Sequence, residues 1–155
     1  MDQQQDLAVI ARTIIDSNMY MVLGTADESG QPWVSPVYYA SAEYKEFYWV
    51  SSPEVKHSRN IAVRPQISIV IFDSQAPIGT GQGVYMSAIV EQLTGADLDR
   101  GIEIFTCSSL VHGGHEWKRE DVEESALYRL YRATASEHWI RDPVGRPDHR
   151  TPVTV

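Results

Sequence analysis

One cysteine, Cys107, is all the chain carries, so an intrachain disulfide framework is excluded and a reducing cytoplasm is the expected location. Positive charge is also scarce. Thirteen Lys and Arg stand against 21 Asp and Glu, for a formal net charge of −8 at pH 7. With a sequence pI near 5.0, nucleic acid and an anionic membrane surface are not expected as partners. No apolar run reaches the roughly 20 residues that a bilayer span requires, so no membrane partner is expected. The opening Met1-Asp-Gln-Gln-Gln-Asp6 holds neither the basic segment nor the apolar core of a signal peptide. Internal repeats and low-complexity tracts are lacking as well. What is present is ordinary for a globular protein: 155 residues, 43% hydrophobic and 22% charged, enough for a single domain over residues 1–155 with one core.

Leu7, Ile10, Ala11, Ile14 and Ile15 follow helical spacing, which predicts an N-terminal helix over about residues 3–17. Met19 to Ala26 then reads as a strand with apolar residues on both faces, suited to a core on one side and another layer on the other. Asp27-Glu-Ser-Gly30 is turn chemistry, and Trp33 to Ala40 is the second strand, with Pro36 at an edge, a bulge or an opening. Phe47–Ser51, Ile67–Phe72, Val84–Leu93 and Leu127–Ile140 complete six strands. A helix from Thr94 to about Phe105 and an extended tail over about 142–155 finish the chain. Successive short strands with turn signals suggest a small antiparallel barrel.

The stretch from Tyr48 to Ile61 joins an aromatic strand to a short basic helix. Ser51 or Ser52 is the expected N-cap, with Pro53 at the first helical position and Arg64-Pro65 closing the helix. Lys56, His57 and Arg59 then ride the first turns, beside free backbone N–H groups and the positive dipole end. That is an anion site suited to a phosphate. Read without that ligand, the same run is a solvated basic helix face.

The opening hairpin MVLGTADESGQPWVSPVYYA, the strand–helix FYWVSSPEVKHSRNIAVRPQISIVIFD, the strand GQGVYMSAIVEQL and the segment YRATASEHWIRDP, in this order, resemble the pyridoxamine 5′-phosphate oxidase-like family. The resemblance implies a mainly β fold with inserted helices, a six-stranded antiparallel split β-barrel of the FMN-binding type. It also implies a homodimer with two FMN molecules at the subunit interface. The flavin ring would lie along Pro36, Val37 and Tyr38 and along the strand holding Trp49 and Val50. The phosphate would sit near Ser51, Ser52, Lys56 and His57. The partner subunit's Gln82 and Gly83, and the partner subunit's Trp139 and Arg141, would close the pocket. Members that make pyridoxal phosphate are longer, with further arginines and an Arg-x-x-Pro-type C-terminal segment that Arg150-Thr-Pro152 matches only in part. The resemblance therefore implies an FMN-dependent oxidoreductase acting on another small molecule. The alternatives are a deazaflavin (F420)-dependent reductase and a flavin- or haem-binding protein without turnover.

Other features yield less. His112-Gly-Gly-His115-Glu116, with Cys107 and Asp121 nearby, could ligate a metal, but the spacing lacks a four-ligand pattern and no metal site is assigned. A glycine loop, or a lid over the ligand, fits the same residues. Gly79-Thr-Gly-Gln-Gly83 lacks the lysine and helix of a P-loop, and its glycines read as room for close backbone approach. No nucleophile elbow is present. Cys107 is expected to be a small buried hydrophobe. Tyr38 and His57 are the candidate proton donors.

Overall fold

A computed structural model describes residues 3–142 and 145–155. Met1, Asp2, Pro143 and Val144 lie outside the described residues, and with them part of the expected 142–155 tail. Helix α1 (Gln3–Ser17) buries Leu7, Ala8, Ala11 and Ile15, one stripe at helical spacing. Its end is fixed by Asn18, whose side-chain amide donates to the Ile14 carbonyl at 2.8 Å. The strands follow as β1 (Tyr20–Ala26), β2 (Pro32–Tyr38), β3 (Ala40–Ala42), β4 (Glu46–Ser51), β5 (Gln66–Phe72), β6 (Gly83–Gln92), β7 (Arg129–Arg141) and β8 (Arg150–Val153). Helix α2 (Lys56–Val63) lies between β4 and β5, and α3 (Gly95–Val111) between β6 and β7.

All pairings are antiparallel, and the sheet runs β2-β1-β5-β6-β7-β4-β3, with β8 added to β7. This curled sheet is the split β-barrel, with eight strands among the described residues where the sequence predicts six. The first extra strand arises because Tyr39 leaves the ladder. Its N–H donates to the Met19 carbonyl and the chain resumes as β3 against β4. The second is β8, drawn from the expected tail by pairing His138–Arg141 with Arg150–Val153. Opposite Ser87 and Ala88 the register slips by one, leaving Ser136 as a bulge. The buried side of β7 therefore changes from Tyr131, Ala133 and Ala135 to His138 and Ile140.

Two cores form, because the pleat sends successive residues to opposite faces. Phe47 and Trp49 join Met21, Leu23, Ile71 and Met86 under α1. Tyr48 faces the other way, with Leu98, Phe105 and Leu130 under α3. That double burial explains why the strand FYWV has no polar face. Among the described residues, no helix is long and apolar enough to cross a membrane.

Candidate functional site

A cleft of about 450 Å³ opens where the end of β2, the end of β4 and the C-terminal half of α3 meet. Six sequence-predicted residues line it: Pro36, Val37, Tyr38, Val50, Ser51 and His57. Ser51 ends β4 and His57 is the second residue of α2, so the turn between them folds the strand end against the helix. Their side chains meet, Ser51 Oγ lying 3.0 Å from His57 Nε2. Burial holds the His57 pKa below the usual histidine value, which keeps the ring neutral at pH 7.

The remaining wall is Phe105, Ser109, Trp117 and Tyr128, which the sequence analysis did not assign to the site, and His115, from the loop it read as a glycine loop or a lid over the ligand. Phe105 lies with its ring 5.7 Å from Tyr38 and 6.0 Å from Trp117, and Trp117 lies 5.8 Å from Tyr128, all edge-on. A signal for part of this was in the chain. Leu98, Gly101, Phe105 and Ser109 recur at three and four residues, a buried stripe that extends α3 past Phe105. The run Thr106-Cys107-Ser108-Ser109 hides it, because these residues are weak helix formers.

The His112–Glu116 loop is tied to that helix. Thr106 Oγ1 donates to the Trp117 carbonyl and accepts from the Trp117 N–H, at 2.9 and 3.0 Å. Ser109 Oγ donates to the His115 carbonyl at 2.8 Å. A Cβ at Gly114 would crowd Ser109 Oγ, so a side chain there would displace the Ser109 hydroxyl from its bond to His115. His112 Nδ1 and Ser108 Oγ each lie 2.7 Å from the Tyr38 hydroxyl. His115 faces Asp121 at 3.3 Å. Among the described residues no group of three His, Cys, Asp or Glu side chains is placed to hold a metal. Cys107 is exposed on α3, which corrects its assignment to the core: it falls on the outward side of the helix, between Phe105 and Ser109.

The other predicted residues sit elsewhere. Trp49 is 0% exposed, stacked on Tyr131 in the core, and so is walled off from the cleft. Its position between Tyr48 and Val50 on a pleated strand dictates this. Ser52 is not the N-cap of α2. It organises a turn by accepting the Glu54 N–H at 3.1 Å, and the helix begins at Lys56 with Val55 as its cap residue. No side chain caps that start, so the first-turn N–H groups are left to solvent or a ligand. Lys56 is exposed there, its Nζ 4.7 Å above the Trp33 ring. Arg59 is paired with Glu54 at 2.8 Å.

Gln82 uses its amide to clamp the backbone of Arg141, donating to its carbonyl at 3.0 Å and accepting its N–H at 2.7 Å. Gly83 opens β6. Gly81 has open space where a Cβ would be, so close backbone approach within one subunit does not explain it. Trp139 is paired with Tyr85 on the outer sheet face, where the Arg150 guanidinium lies 3.9 Å over the Tyr85 ring. Two shallow depressions of about 460 and 620 Å³ share Gly24, Val34, Ser68 and Ser87 on that face.

The family model described as pyridoxamine 5′-phosphate oxidase matches residues 10–140. A search of curated proteins finds no match. Among solved structures, a heme binding protein from Mycobacterium smegmatis superposes with a TM-score of 0.74 at 19% identity, over 99% of this chain and 59% of its own. This chain therefore spans under two thirds of that protein. A FAD-binding protein from Mesorhizobium loti superposes with a TM-score of 0.64 at 20% identity, covering 86% of this chain and 90% of its own. For an F420 reductase the TM-score is 0.61 at 14% identity, over 83% and 94%. At such identities the structures speak for the fold. The family match runs from α1 to the end of β7, through seven of the eight strands, and by it the chain belongs to the pyridoxamine 5′-phosphate oxidase family.

Proposed function

We propose that the chain is an FMN-binding flavoprotein, a homodimer that carries out oxidoreductase chemistry on a small molecule. The observation that carries this is the convergence of Pro36, Val37 and Tyr38 with Val50, Ser51 and His57 on one cleft, beside an uncapped helix start led by Lys56. An FMN phosphate at the start of α2 would accept the first-turn N–H groups and the Lys56 charge. Ser51 and neutral His57 would hydrogen-bond between phosphate and ring. The ring would lie against the β2 end, an edge strand of the sheet whose Pro36 pairs with Val22 of β1. When bound, the flavin supplies the hydride-transfer chemistry. The chain's part is to orient the ring and exclude water, with Tyr38, backed by Ser108 and His112, able to hold or pass a proton at its hydroxyl.

The homodimer is supported by the outer sheet face, where Val34 is 69% exposed and Trp33, Phe72 and Ile89 are exposed beside it. A two-fold pairing would cover this face. It would bring the partner subunit's Trp139 and Arg141 towards the cleft. F420 is the alternative cofactor, but the cleft lining has no Lys or Arg to meet its polyglutamate tail. A haem would need an axial ligand, for which His57 and His115 are in the lining. The absorption spectrum of the purified protein, with the mass of the molecule released on heating, separates the three. A flavin spectrum and the mass of FMN are expected. A Soret band or the mass of F420 would overturn the assignment.

A further inference from the structure

Resting on that reading of the cleft, we propose that the space beside the flavin takes an uncharged planar ring as substrate and discriminates against a phosphorylated one. The α3 side of the cleft offers Tyr38, Phe105, Trp117 and Tyr128, joined edge to face. Such a wall gives a flat conjugated guest both apolar area and ring edges to meet its face. None of the residues lining the cleft is Lys, Arg, Asp or Glu.

Two hydroxyls behind this wall are already engaged. Ser109 and Thr106 hold the His115 and Trp117 carbonyls. Arg129 follows Tyr128 directly, yet its guanidinium donates to the carbonyls of Glu124, Ala126 and Tyr128, each at 2.7 Å. It stabilises the turn that presents Tyr128 and is turned away from the cleft. His57 stays neutral through burial. A phosphate dianion pushed against this wall would lose water and meet no Lys or Arg in the lining, which is unfavourable. An uncharged ring loses nothing comparable. The wall is also rigid, because the loop that carries His115 and Trp117 is pinned to α3 at two hydroxyls. That rigidity favours a flat guest over a flexible one.

The test is calorimetric titration of the FMN-loaded protein with menadione, an uncharged planar quinone, and with pyridoxal 5′-phosphate. Menadione should bind at least tenfold more tightly. Trp117→Ala should weaken menadione at least tenfold. Tyr128→Arg replaces an exposed ring with a cation, so it should weaken menadione and tighten pyridoxal 5′-phosphate at least fivefold. Thermal unfolding of each variant checks the fold, and Tyr128→Arg decides if Trp117→Ala is unstable. Equal or tighter binding of pyridoxal 5′-phosphate to the wild type would overturn the inference. So would menadione binding that ignores both substitutions, or no menadione binding at all, while the flavin reading stands. Failure to load FMN would sink the flavin reading instead, and the same pair of ligands titrated into the protein as isolated would then decide the preference of the wall.

Discussion

Trp49 and Val50 are neighbours in sequence and lie on opposite sides of β4. The strand's aromatic character was legible, but the face each ring takes depends on which layer covers it, and both faces are covered here. That is why Val50 lines the cleft and Trp49 fills the core. The place of His57 at the start of the basic helix was legible, though the lowering of its pKa was not, because burial is a tertiary property. His138 is similar: buried, with Nε2 donating to the Tyr44 carbonyl at 2.8 Å, and its pKa lowered chiefly by burial. Both histidines bind protons more weakly folded than unfolded. Their contribution is therefore complete above the unfolded pKa, near 6.5, and is lost as pH falls below it. Each can remove up to about 1.4 kcal/mol per pH unit while it stays neutral only in the folded state. The thermal midpoint should fall between pH 7 and pH 5, and His138→Gln should flatten that fall. A midpoint that is level or rises towards pH 5 would contradict the burial argument.

At the scale of elements, the ends were harder to read than the middles. The start of α2 moved from Pro53 to Lys56 because Ser52 spends its hydroxyl on a tight turn, a choice that local sequence leaves open. The end of α2 at Val63 was legible, since Pro65 forces Arg64 into an extended conformation. Arg64 then clamps the β1–β2 turn through the carbonyls of Asp27 and Glu28, at 2.7 and 3.0 Å. Strand β8 was hidden because it is four residues long and contains Pro152. The displaced start of α2 sharpens one prediction. Lys56 now heads the helix, but its stack on Trp33 holds it with about 0.5–1 kcal/mol that a phosphate must overcome. A charge-assisted bond of about 1.5–3 kcal/mol exceeds this. Lys56→Ala should therefore weaken FMN by roughly ten- to a hundredfold, nearer the lower figure, since 1.4 kcal/mol is tenfold. Riboflavin, which lacks the phosphate, should be indifferent. Equal losses for the two ligands in parallel titrations would assign Lys56 to the ring or to the fold.

On the scale of the molecule, the succession of strands along the chain and the family were legible because turn signals separate the apolar, aromatic strands in that succession. The division of the candidate site into two groups was legible only through the family resemblance, which puts Gln82, Gly83, Trp139 and Arg141 on the partner subunit. Pro36–Tyr38, Val50, Ser51 and His57 gather at the cleft, whereas Trp139 lies on the outer sheet beside exposed Val34. Within one chain these groups do not meet. The two-fold dimer proposed above would resolve the separation, with the outer face as its interface and each flavin held by both subunits. Native mass spectrometry after reconstitution with FMN tests this most directly, on the wild type and on Val34→Asp, which puts a charge into the proposed interface. The account predicts two chains carrying two FMN for the wild type, and a single chain stripped of FMN for the variant. A single wild-type chain that retains FMN, or a dimer that takes none, would contradict it.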